Sequence, residues 1–320
     1  MHQEIENYFI MNFVKIIQSQ PTNCLRDTFY MAKITLFVRS FRLFPIFAGV
    51  FLTKVKSKPM KIQFFAGALL CCIFASCLVG CSNNDDSIVI APEADASQFV
   101  ILTDVVPDVI LEIRYYSTYN FIGRRIPGYD EPIAMLTRQA ADSLKKVSDD
   151  LIKQGYRLKI FDGYRPQKAV DYFMQWAVDA NDTLMKQYFY PELDKAVLVP
   201  QEYIAEKSGH TRGSTIDLTL FDMATEKEVD MGCTYDYFGV ASHPDVQPGQ
   251  TIGAYKPITQ EHYDNRMILQ KAMMDHGFKP YDCEWWHFTL DNEPFPNTYF
   301  TFPLTRKSLE AQAGYSSGKF

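Results

Sequence analysis

The chain is predicted to fold as a single α+β domain, with a mostly antiparallel central sheet and flanking helices. Three observations carry this. Short alternating apolar runs are interspersed with segments of helical spacing, without regular βαβ alternation. From Phe99 to Phe320 no composition break or internal repeat marks a boundary, so residues 99–320 read as one domain. Hydrophobic residues make up 47% of the 320 positions and aromatic residues 14%, ample for a packed core.

Val109–Tyr115 is the first strand candidate, followed by a loop at Tyr119–Gly123 and a turn at Pro127-Gly128. Arg138–Gln154 carries Ala141, Leu144, Val147 and Leu151 at helical spacing, and Gly155 suits its end. Arg157–Phe161 alternates as a strand. Pro166 and Gln167 lead into a helix near Ala169–Ala180. Thr215–Leu220 alternates again. Gln260–His276 reads as a helix with Met267, Leu269, Ala272 and Met273 inward and Gly277 as its stop, and Glu284–Leu290 as the last strand.

The N-terminal third has a different character. Met60–Cys81 has a basic start, an apolar centre and small residues at its end, as a secretory signal does. Its apolar run is short of the roughly 20 residues of a spanning helix. Leu78-Val79-Gly80-Cys81 resembles the bacterial lipoprotein processing box, which implies a signal peptide over 60–80 and a lipid on Cys81. The polar stretch 81–98 then tethers an exported domain to the membrane. A signal starts a chain, so translation is expected to begin at Met60, with residues 1–59 an extension outside the natural protein. Only Cys233 and Cys283 fall in the folded part, either as a disulfide or as two free thiols. The net charge of -6, with no basic block interleaved with aromatics, argues against a nucleic-acid partner.

The chemistry concentrates in two stretches. Ser208–Leu220 places His210 and Asp217 seven residues apart across a glycine turn. Glu284-Trp285-Trp286-His287-Phe288 adds a second histidine and a carboxylate. His210, Asp217 and His287 together make the three-ligand set of a catalytic zinc with one open position. The bland alternative is a hydrogen-bonded structural histidine and a loop-capping aspartate. Against it, Asp217 sits between Ile216 and Leu218 in a core strand, where an unpaired carboxylate is costly and a metal would compensate it. A hydrolytic zinc needs a base, and Glu284 lies three residues before His287. On a regular strand those two would face opposite sides, so a bulge or turn must re-aim one of them. The tryptophans between them read singly as core. Arg165, in the loop Asp162-Gly163-Tyr164-Arg165-Pro166, would either stabilise an oxyanion or pair with Asp162.

Other chemistries lack their motifs. There is no Gly-x-Ser-x-Gly elbow, no phosphate-binding or dinucleotide glycine loop and no His-Glu-x-x-His helix. His2, His243, His262 and His276 have no partner at ligand spacing and read as structural or surface residues.

The ordered set Ser208-x-His210-x-x-Gly213-x-x-x-Asp217 and Glu284-Trp285-Trp286-His287 resembles the zinc D-Ala-D-Ala dipeptidases of the VanX type, peptidase family M15, D subfamily. Tyr119–Gly123, Asp162–Pro166, Asp230-Met231-Gly232 and Tyr235-Asp236-Tyr237-Phe238 agree with it, and the likeness spans roughly Val105 to Phe288. Cys233 stands where many relatives are expected to have threonine. The resemblance implies one Zn2+ per chain in a cleft, held by His210, Asp217 and His287. It implies Glu284 as the base that later protonates the leaving amine, Arg165 on the oxyanion and Ser208 on the substrate's amino group. The implied substrate is a free D,D-dipeptide such as D-alanyl-D-alanine. Two rivals remain: a D,D- or L,D-carboxypeptidase trimming wall stem peptides, and a non-catalytic wall-binding lipoprotein.

Overall fold

The central sheet is built from strands whose inner face is uninterrupted Leu, Ile and Phe. In the computed structural model, which describes Val89–Ile90 and residues 96–253 and 255–310, ten strands form: β1 (Val89–Ile90), β2 (Phe99–Ile101), β3 (Ile110–Leu111), β4 (Met135–Thr137), β5 (Tyr156–Asp162), β6 (Thr215–Asp222), β7 (Lys227–Glu228), β8 (Phe278–Tyr281), β9 (Glu284–Leu290) and β10 (Thr298–Tyr299). The helices are α1 (Leu102–Val105), α2 (Arg138–Lys153), α3 (Gln167–Val178), α4 (Lys186–Phe189), α5 (Lys195–Leu198) and α6 (Gln260–Asp275). All belong to the unit Cys81–Phe320. The proposed signal and Cys81, the proposed lipid site, lie outside the described residues, as does most of the stretch read as a tether. No helix among the described residues is long and apolar enough to cross a membrane.

The largest sheet runs β3-β5-β6-β9-β8, with β7 added at the end of β6. Only β3–β5 is parallel, so the α+β, mostly antiparallel expectation holds. The pairs Leu158↔Leu220 and Ile160↔Leu218 put four fully buried side chains on one face. Each contributes about 1.5–3 kcal/mol over an exposed position. β5 packs on α2, and α6 packs on β8 and α2. α2 offers Ala140, Ala141, Leu144, Val147 and Leu151 as its buried stripe. It begins where the Thr137 side chain accepts from the Ala140 N–H, and ends before Gly155, whose φ of +89° suits the left-handed turn beyond a helix.

Packing corrects two expectations and decides a third that the sequence left open. The strand at Val109–Tyr115 shrinks to Ile110–Leu111, followed by a 3-10 turn at Arg114–Tyr116. The Asn120 amide donates to the carbonyls of Arg114, Ser117 and Arg124, which folds this segment back instead of extending it. On α6 the buried residues are Arg266, Leu269 and Met273; Met267 is only half-buried. Arg266 enters the core because its guanidinium donates to the carbonyls of Met231, Ala241 and His243. Cys233 and Cys283 are free thiols, not a disulfide. The Cys233 sulfur accepts from Trp285 Nε1 at 3.3 Å.

Candidate metal centre

Strand register places the first two ligands. Asp217 on β6 sits directly opposite His287 on β9, so their side chains leave the sheet on one face. His210 arrives from a 3-10 turn, Gly209–Arg212, which precedes β6. Ser208 caps that turn, its Oγ accepting from the His210 N–H at 3.3 Å. Gly213 closes it with φ +80°, and a Cβ there would sit 2.2 Å from the Phe99 ring, so no other residue fits. His210 Nδ1 donates to the Gly163 carbonyl at 2.8 Å, which turns the Nε2 lone pair toward Asp217.

The three ligand atoms form a nearly equilateral triangle. His210 Nε2 lies 3.2 Å from Asp217 Oδ1, His287 Nδ1 lies 3.1 Å from the same oxygen, and the two nitrogens are 3.3 Å apart. A tetrahedral zinc with bonds of about 2.0–2.1 Å has ligand–ligand edges of about 3.3 Å. Asp217 Oδ1 is buried with no hydrogen-bond partner, an orphan that a cation would satisfy. The residues present therefore fit a zinc ion. Among the described residues, His210, Asp217 and His287 are the one group of this kind that could hold a metal.

The Asp217 carboxylate and the His287 imidazole perturb one another strongly. Burial pushes the Asp217 carboxyl upward, but His210 and His287 outweigh it and hold the group far below the ordinary carboxylate range. Burial opposes charge on His287, yet the adjacent carboxylates of Asp217 and Glu284 raise its pKa to about 9.

Two register irregularities complete the centre. Between β8 and β9 the pairing passes from Pro280↔Phe288 to Tyr281↔Glu284, so Trp285, Trp286 and His287 bulge out of register. This is the expected bulge, and it leaves Glu284 Oε2 3.3 Å from His287 Nδ1. Trp285 and Trp286 are both buried, as core residues. Between β5 and β6 the pairing passes from Ile160↔Leu218 to Asp162↔Asp217, with Phe161 as the extra residue. That slip turns Asp162 toward the centre. Asp162 accepts from Tyr129 Oη at 2.6 Å and from Arg165 Nε at 2.9 Å. Arg165 therefore pairs with Asp162, and its Nη2 lies 3.7 Å from Asp217 Oδ2 on the cleft wall.

A cleft of about 190 Å³ opens over these groups, lined by all six predicted residues of the site: Arg165, Ser208, His210, Asp217, Glu284 and His287. It is smaller than the roughly 300–1,000 Å³ that drug-sized ligands occupy. Of the histidines set aside, His262 forms a capping box with Thr259, His276 pairs with Asp150 at 2.9 Å, and His243 meets Tyr203 Oη at 3.3 Å. Sequence reasoning assigned no role to Asp236. It is buried in the cleft wall with Oδ2 unpartnered, and Tyr115 donates to its Oδ1 at 3.2 Å. Burial, with Asp217 and Glu284 nearby, pushes its carboxyl well above the usual range. The available signal was a carboxylate inside the aromatic run Tyr235-Asp236-Tyr237-Phe238.

A three-residue metal centre with an adjacent carboxylate defines a metallohydrolase. The chain belongs to the D-Ala-D-Ala dipeptidase family, Peptidase_M15, whose model matches residues 95–305. It is 38% identical over 206 residues to the D-alanyl-D-alanine dipeptidase of Enterococcus faecium, covering 64% of this chain and 98% of the relative. It is 36% identical over 207 residues to that of Enterococcus faecalis, covering 65% and 98%. The dipeptidase of Streptomyces coelicolor is 34% identical over 206 residues, covering 64% and 98%.

Proposed function

We propose that this chain is a zinc-dependent dipeptidase that hydrolyses D-alanyl-D-alanine and related free D,D-dipeptides, with one ion per chain on His210, Asp217 and His287. The observation that carries the reading is the ligand triangle around the orphaned Asp217 Oδ1, with Glu284 beside it. When bound, the ion supplies Lewis acidity and brings the pKa of a water down to about 7.

The chain's own residues supply the rest. Glu284 takes the proton of the attacking water and returns it to the leaving amine, as a single carboxylate beside the scissile bond can do. The amide oxygen gains charge as the carbon becomes tetrahedral. Arg165, held in orientation by Asp162, donates to that oxygen from a wall where water is largely excluded. The unpartnered Asp236 Oδ2, with Ser208 nearby on the same wall, receives the substrate's free ammonium group. The small cleft favours a dipeptide over a longer stem peptide. The test is release of free D-alanine from D-Ala-D-Ala, against pentapeptide and tetrapeptide stems, with and without chelator. Preference for the stems would transfer the reading to a carboxypeptidase, and no zinc-dependent hydrolysis of any of them would leave a binding protein.

The membrane assignment rests on the sequence: a signal over 60–80, lipid on Cys81 and a tether over 81–98, which would hold the enzyme on the exported side where wall peptides occur. Radiolabelled palmitate incorporation that persists in Cys81→Ala would exclude it.

A further inference from the structure

Tyr235 is buried at 1% exposure and belongs to none of the ligand, base or oxyanion roles above. Its hydroxyl donates to Asp217 Oδ2 at 2.9 Å, while Asp217 Oδ1 faces the two histidines. Its ring is clamped by the residues that break strand register. Phe161, the extra residue of β5, stacks on it at 4.5 Å and 22°, and Trp286, from the bulge of β9, meets it edge-on at 5.3 Å and 70°. The hydroxyl's other acceptor is the neutral Tyr115 Oη at 3.2 Å, a longer contact than the 2.9 Å to Asp217, and Tyr115 gives its own proton to Asp236 Oδ1. Of the two acceptors, Asp217 Oδ2 is both the nearer and the charged one, so it takes the Tyr235 proton. Arg165 Nη2 lies 3.7 Å from that oxygen, beyond hydrogen-bond distance, while Arg165 Nε donates to Asp162 Oδ2 at 2.9 Å.

We propose that Tyr235 is a positioning residue that makes Asp217 a one-oxygen metal ligand. The inference rests on the metal reading above. A carboxylate can bind an ion through one oxygen or both. A charge-assisted hydrogen bond on Oδ2 fixes the plane of the carboxylate and keeps that oxygen off the ion. The protein then contributes three ligand atoms, and the remaining position stays open for water and substrate. Without the hydroxyl, the carboxylate is free to turn, and a second oxygen can enter the open position.

The test is zinc affinity by chelator competition in wild type, Tyr235→Phe and Tyr115→Phe, with near-UV circular dichroism to check the fold. Tyr235→Phe conserves ring and volume. Its affinity is expected to fall about 10- to 100-fold, as loss of such an outer partner does elsewhere. Tyr115→Phe, which leaves the Tyr235 proton on Asp217, should stay within about threefold. Affinity in Tyr235→Phe within twofold of wild type would overturn the proposal, and so would an equal loss in both variants. A crystal structure of the zinc-loaded wild type is a check that needs no variant. Asp217 should bind through Oδ1 alone with Oδ2 about 2.7–3.0 Å from Tyr235 Oη; both oxygens on the zinc would overturn the proposal. Wild type that fails to bind zinc at all would instead remove the metal reading beneath it.

Discussion

Two buried charges in this molecule are treated in opposite ways. Arg266 on α6 is 1% exposed, and every one of its nitrogens has a partner: the carbonyls of Met231, Ala241 and His243, and the Cys233 sulfur. Asp217 on β6 is 2% exposed, and one of its oxygens has none. Both are expensive to bury. The core arginine is fully satisfied by the chain itself, which makes it a structural brace between α6 and the segment 231–243. The aspartate is left incomplete, with two histidine nitrogens 3.1 and 3.2 Å from the same oxygen. Unsatisfied burial, rather than burial alone, separates a binding centre from a brace.

The comparison can be broken most sharply at the metal. His210→Ala should abolish stoichiometric zinc and all hydrolysis, whereas His243→Ala should retain both; elemental analysis of the two purified variants decides it. Glu284→Ala should keep zinc but lower kcat by roughly 10²- to 10⁴-fold, the usual worth of a positioned acid–base group. Near-native turnover in that variant would remove Glu284 from the mechanism. Arg165→Ala should lower kcat by about a hundredfold. It should also reduce stability, because Asp162 would remain buried without its partner; steady-state kinetics and thermal melts separate the two effects. On the structural side, Arg266→Met should lower stability by about 1–3 kcal/mol through its stranded carbonyls. The loss should be equal with and without zinc, and kcat should be unchanged. A zinc-dependent loss in Arg266→Met would mean that brace and centre are one unit. Saturating zinc, by contrast, should raise the melting temperature of wild type, by about 2.7 kcal/mol of added stability at a hundred times Kd.

The last strand, Glu284–Leu290, and the helix from Arg138 were legible in the chain because apolar period and flanking glycines are local signals. The grouping of His210, Asp217 and His287 was legible too, since they lie in short, distinctive stretches. Asp236 was not legible as a site residue. Nothing in Tyr235-Asp236-Tyr237-Phe238 says that one carboxylate oxygen ends in the cleft without a partner. The inward face of α6 was half wrong for a similar reason: Arg266 is buried only because three carbonyls from a distant loop converge on it.

By itself the sequence determined the class of the sheet, the positions of the long helices, the His/Asp/His group that could hold a metal and the need for a bulge or turn between Glu284 and His287. These follow from side-chain period, turn chemistry and residue type, all read along a few neighbours. Only the tertiary structure decided where register slips, at Phe161 on β5 and at Trp285–His287 on β9. Those slips bring Asp162 beside His210 and Glu284 beside His287, and they supply Phe161 and Trp286, which pack the Tyr235 ring. A strand's register is a property of the pair, set by what packs across it, so no single stretch of chain contains it.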